Sequence, residues 1–396
     1  MPIDLNIKLT PIPGIPKPFP PPSPLGLLAP LAGTWQGHGF NQIFRPFFGN
    51  GSDNFLELNL TNETLEFTEI PGEIPNRGSL QPDISLFGLT YLQQVADANV
   101  KGTDGKPAGI HIEPGIWVNV PLTTDPADPA TVARMANIPH GTSLVAQGTA
   151  QTFPQAPVFA VVDITPFTIG NPAKKIPFTN ETTLSTPSQF RSPPGDIVGI
   201  TQAMVDNPNS VLAAALVGKT ITSTTVIRIS TALATPPVPT SGGGTSNIAF
   251  LDGAAGGPNA KAAQMDATFW ISPFTEANGN HGTLLQYSQT VLLNFKGLSW
   301  PHVSVANLVK QVTKAPKEIK EHKPEIKETK TEIKEHKPEI KETLEVPPRP
   351  IPIPDPADLR AGPAEAAPTA GRPFITPEER PAVGEGAAGD APPKKP

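Results

Sequence analysis

The sequence predicts an all-β fold, an antiparallel closed β-barrel with one short inserted helix and a disordered tail. Apolar and polar residues alternate over many short segments, and clusters of Gly, Pro, Asn and Asp separate these segments. Thr, Val and Ile are frequent within the segments, as they are in strands. We expect a closed barrel rather than an open sheet, because closure removes unpaired edges and creates an interior.

The candidate elements follow one another from a first strand around Trp35 to a last strand that begins at His302. The segment "FLELNLTNETLEF" predicts a hairpin that turns at Thr61-Asn62. The segment "DNPNSVLAAALVGK" predicts the inserted helix, with Asn207 as its cap and Pro208 at its first position. The alternation predicts further strands in residues 109–121, 142–153, 158–169, 222–233, 247–251, 263–274 and 283–295.

Composition divides the chain into four parts. Residues 1–30 are a proline-rich arm, and residues 31–310 form the barrel domain. Residues 311–346 contain a Lys/Glu repeat with one isoleucine per seven residues, which is too few for a coiled coil, so we expect a solvated spacer. Residues 347–396 are a disordered tail rich in Pro and Ala, in which "RPFITPEER" is a short element that can dock on a protein partner.

Several classes of function are excluded by composition. The chain has no cysteine, which removes disulfides, thiol nucleophiles and zinc-thiolate sites. The net charge is −6 and no basic stripe is present, so we expect no nucleic-acid partner. No apolar stretch is long enough to span a membrane, and the N-terminus lacks the pattern of a signal peptide, so we expect a cytoplasmic protein. A serine-hydrolase elbow is also missing.

The strand that starts at His302 is the main candidate for a binding site. His302, Ser304, Ala306 and Leu308 share one face of this strand, and the valines share the other. If the histidine face points inward, the small Ser304 and Ala306 leave room beside the imidazole. If the valine face points inward, His302 is a rim or surface residue.

Four motifs follow one another along the chain. The first is Gly33-Thr34-Trp35-Gln36-Gly37-His38-Gly39. The second is "HIEPGIW" at 111–117, and the third is "GTSLVAQ" at 141–147. The fourth is "LQYSQTVLLNFKGLSWPHVSVANL" at 285–308. In this order the motifs resemble those of the nitrobindin-like haem-binding barrels, which are lipocalin-like. This domain is longer than the compact members of the family, with extra residues around 160–260.

The resemblance implies a haem b cofactor and a small-molecule ligand, with His302 as the proximal iron ligand. It also implies that further residues line the cofactor site: Trp35, Tyr287, His38 and His140. Peroxidase-like chemistry needs a distal base and a cation as well. The candidates for the base are His38, His111 and His140, those for the cation are Arg45 and Arg134, and the sequence does not choose among them.

Three hypotheses about function follow. The first is a haem-binding barrel that senses or acts on small oxidants or diatomics, such as NO, peroxynitrite or peroxide, including a peroxynitrite isomerase or peroxidase-like enzyme. The second is a haem-free carrier of a small apolar ligand, which uses the same interior. The third is a structural module that its spacer and tail tether to an assembly.

Overall fold

The structure is a computed structural model that describes residues 23–48, 54–252 and 259–311. Most of the predicted arm, the repeat spacer after residue 311 and the proline-rich tail lie outside the described residues. None of the helices in the described part is long and apolar enough to cross a lipid bilayer.

The described residues form fifteen strands and a few short helices. The strands are β1 Gly33–Pro46, β2 Asn54–Glu69, β3 Ile74–Asn76, β4 Ile84–Lys101, β5 Pro107–Val120, β6 Thr131–Ile138, β7 Thr142–Phe153, β8 Phe167–Thr168, β9 Asn171–Lys175, β10 Lys219–Thr220, β11 Thr224–Ser230, β12 Gly243–Asn247, β13 Lys261–Glu276, β14 His281–Phe295 and β15 Leu298–Lys310. The helices are a 3-10 helix Gly26–Leu31, α1 Thr179–Thr182, α2 Gln202–Asp206, α3 Ser210–Ala214 and α4 Ala249–Asp252.

Ten of the strands close into an antiparallel barrel, which confirms the predicted fold class. Their order is β1-β2-β4-β5-β6-β7-β11-β13-β14-β15. The barrel closes where β1 pairs with β15, from Trp35 opposite Lys310 to Ile43 opposite His302. Each strand is hydrogen-bonded on both sides, so the ten strands have no long free edge.

Two apolar cores lie on opposite sides of the barrel wall. The inner core fills one end of the barrel and includes Trp35, Trp117 and Phe269. The outer core lies between the outer face of the wall and the insertion around residues 159–212, and it includes Trp300 and Val303. Both faces of β15 are therefore buried along much of its length, which explains why this strand is apolar on both faces.

The 3-10 helix Gly26–Leu31 packs against the inner core. Leu28 and Leu31 are fully buried, and the indole Nε1 of Trp35 donates a hydrogen bond to the carbonyl of Leu31 at 2.7 Å. The helix Gly26–Leu31, which composition assigns to the proline-rich arm except for Leu31, therefore packs into the inner core of the barrel. The segment fits this role because it supplies large apolar side chains that a solvated arm would expose.

Glycine in β1 allows the closing strand to approach closely. A Cβ atom added at Gly37 would lie 2.0 Å from the carbonyl oxygen of Asn307 on β15. One added at Gly39 would lie 2.3 Å from the carbonyl of Val305 and 2.7 Å from the Glu63 carboxylate. The glycines of the first motif thus have a packing role at the seam of the barrel.

Several predicted elements differ in the structure. Residues 55–67 lie in the single strand β2, and the predicted turn at Thr61-Asn62 is absent from it. The predicted helix at 206–219 is shorter: α3 spans only Ser210–Ala214, and a turn through Pro208 separates it from α2. Residues 158–169 are largely irregular: Phe159, Val162 and Ile164 pack against the outer core without strand pairing, whereas Val158 and Val161 are exposed. Residues 249–252 form α4 rather than a strand.

Candidate functional site

His302 lies on the inner face of β15. The same face carries Ala306 and Leu308, which belong to the inner core, while Val303 and Val305 belong to the outer core. The imidazole is enclosed by protein but keeps part of its area accessible, as expected for a side chain that borders an internal space. Of the two orientations that the sequence allowed, the structure has the inward one.

Two further histidines, His111 and His140, lie near His302 at the end of the barrel that is opposite Trp35. The rings of His111 on β5 and His140 in the β6–β7 turn are 5.9 Å apart. Burial, with a contribution from the charges of these two histidines, lowers the pKa of His302 to about 3. The His302 imidazole is therefore neutral at physiological pH, which is the form that binds a metal.

A buried ion pair joins the neighbouring strands β5 and β6 on the inner face of the barrel wall. The guanidinium of Arg134 donates to the Glu113 carboxylate, and it also donates to Tyr91 Oη at 2.9 Å and to Gln289 Oε1 at 2.8 Å. Burial by itself raises the pKa of Glu113, but Arg134, with hydrogen bonds from His111 and Tyr91, lowers this pKa to about 2. Both partners are charged, and each has several hydrogen-bond partners, as buried charges require.

A second buried carboxylate has only neutral donors around it. Glu63 on β2 accepts hydrogen bonds from Tyr287 Oη at 2.6 Å, Thr61 Oγ1 at 2.7 Å and Gln93 Nε2 at 3.3 Å. Burial raises the pKa of Glu63 above its ordinary value, and these hydrogen bonds offset only part of the effect. Glu63 is therefore a less stable anion than Glu113.

Inward-facing polar residues form a row across four strands next to His302. In register, Gln289 is opposite Ser304, Ser304 is opposite Asn41, and Asn41 is opposite Asn59. The side-chain carbonyl oxygens of Asn41 and Asn59 are buried and have no hydrogen-bond partner within the described part of the chain. Buried amide oxygens without partners are rare in proteins, so this row indicates a place for an additional polar group or water.

A hollow with a volume of about 870 Å³ lies among the described residues. It lies against β1, β2, β4, β5 and the β6–β7 turn, and its lining includes His38, His111, His140 and Glu63 but not His302. His111 and His140 thus border this hollow on one side and influence His302 on the other. The volume is within the range of about 300–1,000 Å³ that small-molecule sites occupy.

The other residues predicted for the site lie in different places. Trp35 is buried at the opposite end of the interior. It is opposite Lys310 of β15, which is eight residues along that strand from His302. His38 is on the outer face of β1, where its ring is 2.9 Å from the amide oxygen of Asn62. Arg45 pairs with Glu57 at a partly exposed position, so of the two candidate cations only Arg134 is inside the barrel.

Tyr287 is inside the barrel, two residues along β14 from Gln289 of the polar row, and its hydroxyl donates a hydrogen bond to Glu63. His140 is an exposed residue of the tight turn between Ile138 and Gly141. Burial and the neighbouring charge of His111 lower the pKa of His140. The structure therefore gathers His302, His111 and His140 at one end, and it places Tyr287 and Arg134 in the layer next to them.

A scan against protein-family models finds no match for this chain, and a search of curated proteins finds no relative. The resemblance to nitrobindin-like barrels thus rests on the four motifs. Within the described residues no three His, Cys, Asp or Glu side chains are grouped so that they could hold a metal ion by themselves. Haem iron needs only one or two protein ligands, so this finding bears on free metal ions and not on haem.

Sequence reasoning missed most of the polar layer. Tyr91 and Gln93 lie on β4, which the alternation did not reveal, and Glu63 lay next to the turn predicted inside β2. One signal was present: Glu63 shares its face with Leu65 and Phe67, and a carboxylate in an apolar stripe indicates a buried, hydrogen-bonded group.

Proposed function

We propose that this protein is a haem-binding β-barrel in which His302 is the proximal iron ligand. The observation that carries the proposal is the position of His302: a neutral imidazole on the inner face of a closed barrel, close to two other histidines. A neutral imidazole inside an enclosed space is the usual protein ligand of haem b.

The chemistry of the surrounding residues fits such a group. Ser304, next to His302 on the inner face, is small, and its hydroxyl is 3.4 Å from His302 Nε2. The unpartnered amide oxygen of Asn41 lies in the adjacent row, where a bound group or an ordered water can satisfy it. His111 and His140 line the hollow, and their charges also act on His302.

Bound haem would supply an iron with an open coordination position for a diatomic or a small oxidant. The residues of this chain would bind and orient it, and the barrel wall would exclude water from the reacting side. Arg134 donates a hydrogen bond to Gln289 of the polar row, which fixes both side chains, and the ion pair with Glu113 keeps Arg134 charged. We therefore propose that the ligand is NO, peroxynitrite or a peroxide rather than a large substrate.

The test is titration of the purified protein with haemin, followed by visible spectroscopy. We expect a Soret band with one equivalent of haem, and we expect His302→Ala to shift or abolish this band. His281→Ala is the matched control, because this histidine is exposed at the start of β14 and lies outside the interior. A band that is the same in His302→Ala and in the wild type contradicts the assignment of the ligand.

A second candidate is a haem-free carrier of a small apolar ligand. It is favoured by one observation, namely that the 870 Å³ hollow does not include His302 in its lining. A colourless protein that carries an organic molecule in native mass spectrometry, and that does not bind haemin, supports the carrier. An iron porphyrin in the same experiment supports the first proposal.

A further inference from the structure

The inner wall of the barrel carries more negative than positive charge. Three carboxylates are buried there, Glu63, Asp97 and Glu113, and Arg134 is the one buried guanidinium that faces them within the described residues. Glu113 is paired with Arg134. Asp97 is held by the amide of Asn59 at 2.7 Å and by two backbone N–H groups at the end of β4.

Neither Glu63 nor Asp97 has a cationic partner in the described part of the chain, but Asp97 accepts from two backbone N–H groups, whereas the donors to Glu63 are side chains alone. The three donors to Glu63, namely Tyr287, Gln93 and Thr61, are neutral, and no lysine or arginine forms an ion pair with it in the described part of the chain. His111 is near enough for its charge to act on Glu63. An anion in this position is stabilised by any additional positive charge that enters the interior.

The hydrogen bonds around Glu63 are arranged for the ionised form. Tyr287 Oη accepts from Gln93 Nε2 at 2.9 Å and donates to Glu63, so the tyrosine proton is directed at the carboxylate. Thr61 donates to the other carboxylate oxygen at 2.7 Å. The site is thus preorganised for a charge that burial alone disfavours, and an added positive charge shifts the balance towards the ionised form.

We propose that Glu63 makes the interior selective for an occupant whose core carries a positive charge. Binding of such an occupant favours the Glu63 carboxylate, and the proton that Glu63 loses passes to solvent. This inference rests on the proposed function, because it concerns the same interior, and it names the class of ligand: a ferric porphyrin, whose core has one net positive charge, in preference to a porphyrin with a neutral core.

The raised pKa of Glu63 gives the sign of the pH dependence. Above this pKa the carboxylate is charged and attracts the cation, and below it the neutral acid does not, so the affinity for a cationic core increases with pH. The ionisable groups that surround Glu63 are His111, Tyr287, Asp97 and the Glu113–Arg134 pair. Tyr287 has a raised pKa and stays neutral, and the Glu113–Arg134 pair stays charged throughout the range.

The experiment compares the affinities of ferric and zinc protoporphyrin IX for the full-length protein. Both metals accept an axial imidazole, but the zinc core is neutral. We expect Glu63→Gln to weaken binding of the ferric porphyrin by roughly tenfold, the effect of one charge over about 10 Å at an effective dielectric constant of about 20. Zinc porphyrin binding should change little. Glu66→Gln removes the same charge from the exposed outer face of β2 and should leave the ratio unchanged.

Each outcome decides a separate point. An unchanged ferric-to-zinc ratio in a folded Glu63→Gln variant overturns the role of Glu63 and leaves haem binding intact. Failure of both porphyrins to bind the wild type overturns the proposed function, and this inference with it. If Glu63→Gln does not fold, Tyr287→Phe replaces it: loss of the donor should move the pH dependence of ferric affinity to higher pH, and an unmoved profile overturns the inference.

Discussion

The hydroxyl of Tyr287 on β14 donates a hydrogen bond to the Glu63 carboxylate on β2, at 2.6 Å, across two intervening strands. In register, Ala306 of β15 and Gly39 of β1 lie between them, and their small size lets the phenol ring pass along the wall. The bond thus spans the seam at which the barrel closes. Packing at the seam and the polar layer depend on the same small residues.

The buried ion pair should be sensitive to loss of one partner. Arg134→Met leaves the Glu113 carboxylate buried without its cation, so we expect a loss of about 3–5 kcal/mol in the free energy of unfolding, measured by urea denaturation. Arg45→Met is the matched control, because the Arg45–Glu57 pair is partly exposed and should contribute about 0–1 kcal/mol. Equal losses in the two variants would contradict this difference.

His302 should make the fold sensitive to mild acid. Its folded-state pKa of about 3 is below the ordinary value of 6.5, so the unfolded chain takes up the proton first. The stability that comes from the neutral imidazole is complete above about pH 6.5 and is lost as the pH falls towards 3. We expect the stability difference between wild type and His302→Asn to change between pH 7 and 5. An NMR titration in which the ring protonates near 6.5 would contradict this.

Close approach at Gly37 predicts a large effect of a single methyl group. Gly37→Ala places Cβ against the Asn307 carbonyl, and we expect the free energy of unfolding to fall by about 1–3 kcal/mol or more. Gly195→Ala serves as the control, because a Cβ there has no atom within 4 Å. Thermal denaturation of both variants measures the contrast, and similar melting temperatures would remove the packing role of Gly37.

The 3-10 helix at the apolar end should contribute strongly to stability. Leu28 is fully buried, so Leu28→Ala should cost about 2–5 kcal/mol in chemical denaturation. The neighbouring Leu27 is 37% exposed, and Leu27→Ala should stay within about 0.5 kcal/mol of the wild type. A small effect of Leu28→Ala would show that the barrel does not depend on this helix.

The alternation of apolar and polar residues predicted the barrel strands well where one face of a strand is buried along its whole length. It failed in β2, where the apolar residues change face: Leu56 and Leu58 belong to the outer core, and Leu65 and Phe67 belong to the inner core. A change of face looks like a turn when the sequence is read alone. Residues 158–169 have a strand-like pattern for a different reason: Phe159, Val162 and Ile164 contact the outer core from an irregular segment that pairs with no strand over most of its length.

The candidate site was predictable only in part. The strand of His302 offered two orientations, and the covering of its valine face by the insertion, which no local pattern reveals, decides between them. The motif at residues 111–117 indicated a polar position at His111, but it did not indicate which residues surround this histidine. Contacts such as Gln93 to Tyr287 join residues 194 positions apart, so they depend on the closed topology rather than on spacing.

The strand that carries His302 is also the strand that closes the barrel. β1 is made first during synthesis, and its partner β15 leaves the ribosome only after almost all of the described chain. Until then β1 and β14 expose free edges, and the imidazole has neither of its neighbouring strands. The surroundings of His302 therefore form only when residues 298–310 have joined the barrel, and a chain cut short before residue 298 would lack both the imidazole and the last strand of the wall that surrounds it.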